Sequence, residues 1–191
     1  MGMNYRNDRH CVVVNFGDGA TSQGAVSEAL NFAAVYQAPV VFICENNGWA
    51  ISTPVFKQSS TNSFAVHGLA AGMRSIRVDG NDILAMVCAT KEATDRARRG
   101  GGPSYIEAVT FRMSLHTTAD DPTVYRDDSE VAPWEARCPI VRFETYLIKK
   151  GMLDSQTVVK IQEECEQEVL RARDAFYNMP SAKPGEIFDY L

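Results

Sequence analysis

The stretch GDGATSQGAVSEALNFAAVYQAPVVFICENN, Gly17 to Asn47, decides the fold because it links a glycine-flanked aspartate to a paired asparagine. Two hydrophobic runs precede these polar groups, Cys11–Phe16 and Pro39–Glu45. Both runs are rich in β-branched and aromatic residues, which is typical of buried parallel strands. Between them, small and aromatic residues recur at helical spacing, at Ala25, Ala29, Phe32, Ala33 and Tyr36. The pattern predicts a strand–helix–strand unit.

This unit carries polar side chains to the carboxyl ends of two parallel strands. Asp18 follows the first strand, and the pair Asn46–Asn47 follows the second. Ligands of open α/β sheets bind at that edge, and two converging oxygen-bearing side chains suit Mg²⁺, which typically holds a diphosphate. Either dipeptide alone is also compatible with a simple tight turn. Their placement at the ends of adjacent strands favours the metal site.

The glycines beside Asp18 indicate a close approach of backbone to ligand. Gly17 and Gly19 lack a Cβ, so the chain can turn sharply between strand and helix and come close to a diphosphate. We expect Gly19 and Ala20 to offer backbone N–H groups, as helix N-termini do. A nucleotide P-loop is excluded because GxxxxGK[ST] does not occur, and GDGATS does not match the dinucleotide fingerprint GxGxxG.

Strand–helix alternation continues along the chain. Two further strands are predicted, at Ser75–Gly80 and Ser104–Phe111. Helices are predicted at Phe64–Met73, at Ile83 to about Arg98 with Asp82 as its cap, and at Ser155–Tyr177. Residues 48–62 are expected to form a loop running away from the sheet edge, and residues 113–130 a second, longer loop. The order predicts an α/β, doubly wound parallel sheet over residues 1–138 with a helical C-terminal extension over 139–191.

Composition limits the classes of function. The chain has 191 residues, 45% hydrophobic and 23% charged, as expected of one globular domain. Its net charge of −5 argues against a nucleic-acid partner, and it contains no apolar run of the ~18–20 residues that span a membrane. The N-terminus shows no pattern of a targeting segment. Five cysteines occur without C-x-x-C; several of them lie in apolar runs and are interpreted as core residues, and a reducing intracellular compartment is favoured.

GDG, 26 residues and NN together resemble the thiamine diphosphate-binding motif. Three further blocks, ENNGWAISTP (45–54), VDGND (78–82) and HTTADDPTVYR (116–126), follow in order. From about Cys11 onward the chain resembles the alpha subunit of the decarboxylating component of 2-oxo acid dehydrogenase complexes. The resemblance implies the thiamine diphosphate-binding fold, here incomplete, because such subunits are about twice this length and the chain corresponds to their C-terminal half.

The resemblance also assigns the cofactor site. It implies that Mg²⁺ is held by the side chains of Asp18 and Asn47 and by the backbone carbonyl of Trp49. The residues implied to contact thiamine diphosphate are Gly17, Asp18, Gly19, Ala20, Asn47, Trp49, Ala50 and Ile51.

His116 is the catalytic candidate of the long loop. By resemblance it stabilises the cofactor-bound intermediates and assists acyl transfer, and an imidazole can donate a proton near neutral pH. Tyr125 and Arg126 are implied to anchor the loop, with help from Asp120–Asp121 through an arginine. Without the resemblance, a lone loop histidine is usually a solvated residue, and a solvated charged cluster explains the other residues nearly as well as an anchor does.

The implied reaction is decarboxylation of a 2-oxo acid followed by acyl transfer to a lipoyl acyltransferase. A beta subunit is the implied partner, in an assembly of two alpha and two beta chains. SIRVDGND and TKEA resemble branched-chain enzymes, whereas ISTPVFKQ and HTTADDPTVYR equally resemble bacterial pyruvate enzymes, and the expectation leans to branched-chain acids. The expected compartment is the bacterial cytoplasm or the mitochondrial matrix. A non-catalytic remnant of the family and an ordinary nucleotide-binding module are the alternatives.

Overall fold

The structure is a computed structural model that describes residues 2–189. These residues group into two compact units, the first ending at Phe143 and the second beginning at Glu144. Within residues 2–189 the strands are β1 (Val12–Gly17), β2 (Val40–Asn46), β3 (Trp49–Ala50), β4 (Thr53–Pro54), β5 (Arg74–Asp79) and β6 (Ser104–Val109). The α-helices in the same range are α1 (Gly2–Tyr5), α2 (Gly24–Val35), α3 (Val55–Gln58), α4 (Ala65–Ala70), α5 (Ile83–Arg98), α6 (Ala132–Glu135), α7 (Pro139–Lys149) and α8 (Ser155–Tyr177).

The sheet of the first unit is four-stranded and entirely parallel, in the order β1-β2-β6-β5. Strands β3 and β4 form a separate antiparallel hairpin. The four strands predicted from the sequence are the four strands of this sheet. The prediction of an α/β fold with a parallel sheet and a helical C-terminal region is confirmed.

Helices cover both faces of the sheet because alternate residues of a strand point to opposite sides. Phe42 and Cys44 of β2 pack in one cluster with Leu30 of α2. Val41 and Ile43 of the same strand pack on the other face, in a cluster that includes two alanines of α5, Ala89 and Ala93. The doubly wound arrangement follows from these two clusters.

Cysteine burial differs along the chain. Cys44 is fully buried, in agreement with its interpretation as a core residue. Cys88 and Cys165 are exposed, so that interpretation does not extend to them.

Strand β1 departs from the expectation of a buried strand. It lies at the sheet edge, and Val12, Val13 and Val14 are 43%, 41% and 38% exposed.

The neighbouring helix α2 is apolar on two sides, and only one of them, with Ala33, faces the sheet. The predicted face included Phe32, which is exposed and stacks on Tyr36 with ring centroids 6.1 Å apart. The apolar composition of β1 and α2 indicates that these side chains can be buried, but it does not indicate which segment or partner would cover them.

The block VDGND ends β5 and ties it to the rest of the first unit. A Cβ on Gly80 would lie 2.9 Å from the carbonyl oxygen of Val109, so only glycine fits beside β6. Asp79 Oδ2 accepts a hydrogen bond from Arg142 Nη1 at 2.9 Å. The carboxylate of Asp82 accepts from the first backbone N–H groups of α5, which confirms it as the cap of that helix.

In the second unit the main element is α8, which begins after Asp154. The Asp154 side chain accepts a hydrogen bond from the backbone N–H of Thr157 at 2.7 Å, an N-terminal cap. A 3₁₀ turn follows at Pro184–Phe188. Of the helices within residues 2–189, none has both the length and the apolar composition needed to cross a membrane.

Candidate cofactor and metal site

Asp18 lies immediately after β1, at the start of a 3₁₀ turn over Asp18–Ser22, and its side chain is completely buried. Its Oδ1 accepts a hydrogen bond from the backbone N–H of Asn47 at 3.2 Å. Its Oδ2 accepts from Gln58 Nε2 at 2.8 Å. The parallel register pairs Gly17 with Glu45, so the two halves of the motif meet at the same edge of the sheet.

The two asparagines form the tight turn that their sequence allows. Asn46 Oδ1 accepts from the N–H of Gly48 at 3.3 Å, and Asn47 Oδ1 accepts from the N–H of Trp49 at 3.1 Å. Gly48 has a φ of 85°, a conformation that glycine adopts without strain. The turn and the metal site are therefore not alternatives, since the turn itself brings Asn47 and Trp49 beside Asp18.

Position 19 requires glycine because the hairpin β3–β4 packs against it, whether or not a ligand is bound. A Cβ there would lie 2.6 Å from the Cβ of Ala50, so the hairpin β3–β4 could not lie against the Asp18 turn. A Cβ on Gly17 would meet no protein atom within 4 Å. Open space thus remains beside the end of β1, next to a buried carboxylate.

The tip of the hairpin is strained. Ile51 has a φ of 54° and is 58% exposed. A β-branched residue in this conformation is a genuine outlier, and such strain concentrates at functional sites. The carbonyl oxygen of Ile51 accepts a hydrogen bond from Arg112 Nη2 at 2.7 Å, which helps to hold the tip in place.

Residues 48–62 do not run away from the sheet edge, and that prediction is wrong. The hairpin β3–β4 and the short helix α3 fold the chain back, and α3 ends at Gln58 beside Asp18. Turn-forming composition correctly indicates the absence of long helices here but says nothing about direction. Gln58 therefore contacts the candidate site residue Asp18, a contact that the sequence did not predict.

Glu107 is a second residue that the sequence analysis missed. It lies in the middle of β6 with a side chain that is 0% exposed. Asn46 Nδ2 donates to its Oε1 at 2.8 Å. Its Oε2 accepts from the Ser63 hydroxyl and from the N–H of Ala65, the latter at 3.0 Å. Glu107 thereby fixes Asn46, the first residue of the turn that forms the site.

These contacts determine the charge of Glu107. Burial by itself would raise the pKa of this carboxyl group, but the hydrogen bonds from Ser63, Asn46 and the backbone N–H groups lower it below its usual value. A carboxylate inside an apolar strand, SYIEAVTF, is the sequence signal that could have revealed it, because such a charge needs dedicated partners.

The loop of His116 is tied to the same hairpin through Tyr125. The Tyr125 hydroxyl accepts from Arg112 Nη2 and donates to Asp120 Oδ2, both at 2.7 Å. The backbone N–H of His116 donates to that Asp120 oxygen at 2.8 Å. The ring of Tyr125 lies 5.3 Å from that of Trp49, centroid to centroid. The arrangement connects the histidine to the hairpin tip through one tyrosine.

Two features support the expected anchoring role of this loop's charged residues. Arg126 is buried, and its guanidinium donates to the backbone carbonyls of Arg112 and Met113. The hydrogen bonds from His116 and Tyr125 lower the pKa of Asp120, so its carboxylate is charged at neutral pH. Arg112 reaches Asp120 through the Tyr125 hydroxyl, whereas Asp121 accepts hydrogen bonds from Thr123.

The oxygen atoms at this sheet edge are of the kind that a hard cation such as Mg²⁺ prefers. Hard cations take carboxylate, amide and carbonyl oxygens, which Asp18, Asn47 and Trp49 offer. Buried Gln58 Oε1 has no hydrogen-bond donor among residues 2–189, so the site holds an acceptor that a ligand or a metal-bound water can satisfy. The same part of the chain contains no cluster of three or more His, Cys, Asp and Glu side chains able to bind a metal. A site here depends on a single carboxylate and on neutral oxygens.

Comparison with known proteins identifies relatives of the chain. A family model described as "Dehydrogenase E1 component" matches residues 1–185. The "3-methyl-2-oxobutanoate dehydrogenase subunit alpha" of Mycobacterium tuberculosis is 47% identical over 96% of this chain and 50% of its own length. The "Pyruvate dehydrogenase E1 component subunit alpha" of Acholeplasma laidlawii is 48% identical over 88% of this chain and 49% of its own length. The chain thus spans about half the length of these curated relatives.

Proposed function

The chain belongs to the dehydrogenase E1 component family, and we propose that it acts there as the alpha subunit of a thiamine diphosphate-dependent 2-oxo acid dehydrogenase. One observation carries the proposal. The buried carboxylate of Asp18 and the turn of Asn47 are hydrogen-bonded at the carboxyl ends of β1 and β2. Within this proposal, residues 1–138 supply the cofactor edge and residues 139–191 are its helical extension.

Mg²⁺ is held by Asp18, the side-chain oxygen of Asn47 and the Trp49 carbonyl. The open space beside Gly17 receives the diphosphate. Gly19 and Ala20 direct backbone N–H groups toward it from the first turn after β1, where such groups have no intrahelical acceptor. When bound, thiamine diphosphate supplies the carbanion chemistry that removes CO₂ from a 2-oxo acid. The protein contributes binding, orientation and fixed charge.

Ala50 and Ile51 follow the metal ligands and lie along the cofactor. The close contact between Gly19 and Ala50 supports this, because it fixes the hairpin against the Asp18 turn. Ile51 presents an exposed side chain from a backbone held by Arg112, which suits a rigid support for a bound molecule.

His116 donates a proton or a hydrogen bond to an oxygen of the substrate during the reaction. Its backbone is fixed by Asp120, whose carboxylate is in turn held by the Tyr125 hydroxyl. Proton donation by a positioned side chain typically contributes ~10²–10⁴-fold to rate. The contact of Tyr125 with Trp49 supports this role, since it couples the loop to the metal-binding hairpin.

The proposed partners are a beta subunit, which completes the cofactor site in an assembly of two alpha and two beta chains, and a lipoyl acyltransferase that receives the acyl group. The proposed substrates are branched-chain 2-oxo acids, with pyruvate next. Relatives named for the two activities are 47% and 48% identical to the chain, so the test compares both acids directly. The proposed location is the cytoplasm or the mitochondrial matrix.

One observation favours a second candidate, a non-catalytic pairing module of the same family. The β1 valines and Phe32 are exposed, so an apolar surface is available to a partner chain. Such a module would fold and associate with partners without turning over.

The deciding experiment is turnover of the alpha chain assembled with its beta chain, lipoyl domain, Mg²⁺ and thiamine diphosphate. We expect acylation of the lipoyl domain with 3-methyl-2-oxobutanoate, more slowly with pyruvate, and none with the Asp18→Ala variant. Asp95→Ala is the matched control, because Asp95 is partly exposed and pairs with Lys91 on the surface. Assembly without turnover of either acid would establish the pairing module instead.

A further inference from the structure

We propose that Gln58 is a positioning residue of the metal site, holding the Asp18 carboxylate and accepting a hydrogen bond from a water molecule bound to the metal. The inference rests on the proposed function. It concerns a residue to which neither the motif nor the resemblance assigns a role.

The orientation of the Gln58 amide is fixed by its neighbours. Its Nε2 lies 2.8 Å from Asp18 Oδ2 and 3.1 Å from the carbonyl oxygen of Thr53. Both neighbours accept hydrogen bonds and neither can donate, so the nitrogen must face them. The amide oxygen therefore points elsewhere.

That oxygen is an acceptor awaiting a donor. Gln58 Oε1 is buried and has no hydrogen-bond partner within residues 2–189. It lies over the Asp18 turn, 3.7 Å from the position that a Cβ on Gly19 would occupy. A buried acceptor without a donor is unfavourable, so a ligand that brings one is favoured. Water bound to a divalent cation is such a donor, and Mg²⁺ usually retains several waters.

Gln58 also joins two parts of the site. Thr53 belongs to β4 and pairs with Ala50 of β3, the residue after Trp49. Through its Nε2, Gln58 connects the strand that follows the carbonyl ligand to the carboxylate of Asp18. Residues that orient metal ligands in this way commonly change metal affinity by ~10–100-fold when they are replaced.

The test is titration calorimetry of Mg²⁺ into the assembled alpha–beta complex at saturating thiamine diphosphate. Gln58→Met keeps the length of the side chain and removes both polar ends. The matched control is Lys57→Met, which makes the same replacement at the exposed preceding position of α3. Thermal unfolding of the complexes without Mg²⁺ and cofactor separates a change in the site from a loss of fold.

We expect Gln58→Met to weaken Mg²⁺ binding by ~10–100-fold while Lys57→Met binds as the wild type does. Equal Mg²⁺ affinities of the two variants would overturn the role of Gln58 while leaving the proposed function intact. A lower unfolding temperature of Gln58→Met with unchanged affinity would reduce Gln58 to a structural residue and overturn the inference as well. Absence of Mg²⁺ and thiamine diphosphate binding in the wild type would instead refute the proposed function, and the inference with it.

Discussion

Replacing Glu107 by glutamine is expected to destabilise the first unit strongly, because it removes a buried charge that several donors share. The carboxylate accepts hydrogen bonds from Asn46 Nδ2, the Ser63 hydroxyl and the N–H of Ala65, and its side chain is 0% exposed. In the glutamine variant, one carboxylate oxygen is replaced by an NH₂ group. Because both oxygens of Glu107 accept hydrogen bonds, the NH₂ group faces a donor in either orientation of the amide.

The magnitude follows from the number of bonds. Hydrogen bonds to charged groups contribute roughly 1.5–3 kcal/mol and neutral ones about 1 kcal/mol, so weakening three of them removes about 3 kcal/mol. The donor left facing another donor adds about 1 kcal/mol, near the lower end of the range for unsatisfied buried groups. We therefore expect the free energy of unfolding to fall by about 4 kcal/mol.

Urea unfolding at pH 7, followed by tryptophan fluorescence, measures this change. Trp49 is only 7% exposed, and the second tryptophan, Trp134, also belongs to the first unit, so the emission reports the unfolding of that unit. Glu92→Gln is the matched control, since Glu92 is exposed and its pair with Arg74 should contribute at most about 1 kcal/mol. If Glu107→Gln lowers the free energy of unfolding by less than about 1 kcal/mol, as the control does, the buried charge of Glu107 does not stabilise the first unit as proposed.

The pH dependence provides an independent check on Glu107. Its pKa is lowered in the folded protein, so between the folded and the unfolded pKa the unfolded chain binds more protons. Stability from this group is complete above its ordinary pKa, which is about 4.5, and is lost as pH falls through the lowered value. The stability difference between wild type and Glu107→Gln should therefore shrink below about pH 4.5.

Three further outcomes are expected. His116→Ala should leave the affinity for thiamine diphosphate nearly intact but lower turnover with lipoyl domain by ~10²-fold or more, measured by steady-state kinetics of the assembled complex. Tyr125→Phe should lower the same turnover while leaving the Mg²⁺ dissociation constant unchanged, because it removes the hydroxyl that holds Asp120 but not the ring against Trp49. Produced without partners, the chain should decarboxylate no 2-oxo acid and should associate through the exposed valines of β1, as seen by size-exclusion chromatography with a turnover assay.

Each of these expectations has a contrary result. Wild-type turnover of His116→Ala would remove the histidine from the mechanism. Loss of Mg²⁺ binding in Tyr125→Phe would contradict a role confined to the loop and would show that the hydroxyl also supports the hairpin β3–β4 through Arg112. A stable monomer as active as the assembled complex would contradict a site completed by a second chain.

The parallel sheet was predictable because its pattern is local. Each of the four strands is a short apolar run, and the caps that separate them from helices, such as Asp82, act within three residues. Asp18 and Asn47 were predictable for a related reason, since the ends of parallel strands meet at one edge whatever the details of packing.

What could not be predicted depends on contacts between distant segments. Gln58 contacts Asp18 across 40 positions of sequence. The hairpin that brings the two residues together lies in a segment whose composition indicates only a loop. Ser63 and Glu107 lie 44 positions apart. The exposure of Phe32 could not be foreseen, because an apolar helix face indicates that something can cover it without indicating what.

A crystal structure of the alpha–beta complex decides whether Asp18, Asn47 and Trp49 hold the metal of a thiamine diphosphate site. Crystals grown with thiamine diphosphate and Mn²⁺ in place of Mg²⁺ give an anomalous signal that locates the ion. We expect one peak at the ends of β1 and β2, about 2.0–2.3 Å from an Asp18 carboxylate oxygen, the Asn47 side-chain oxygen and the Trp49 carbonyl oxygen. Bound cofactor with its metal peak away from these three oxygens would contradict this expectation.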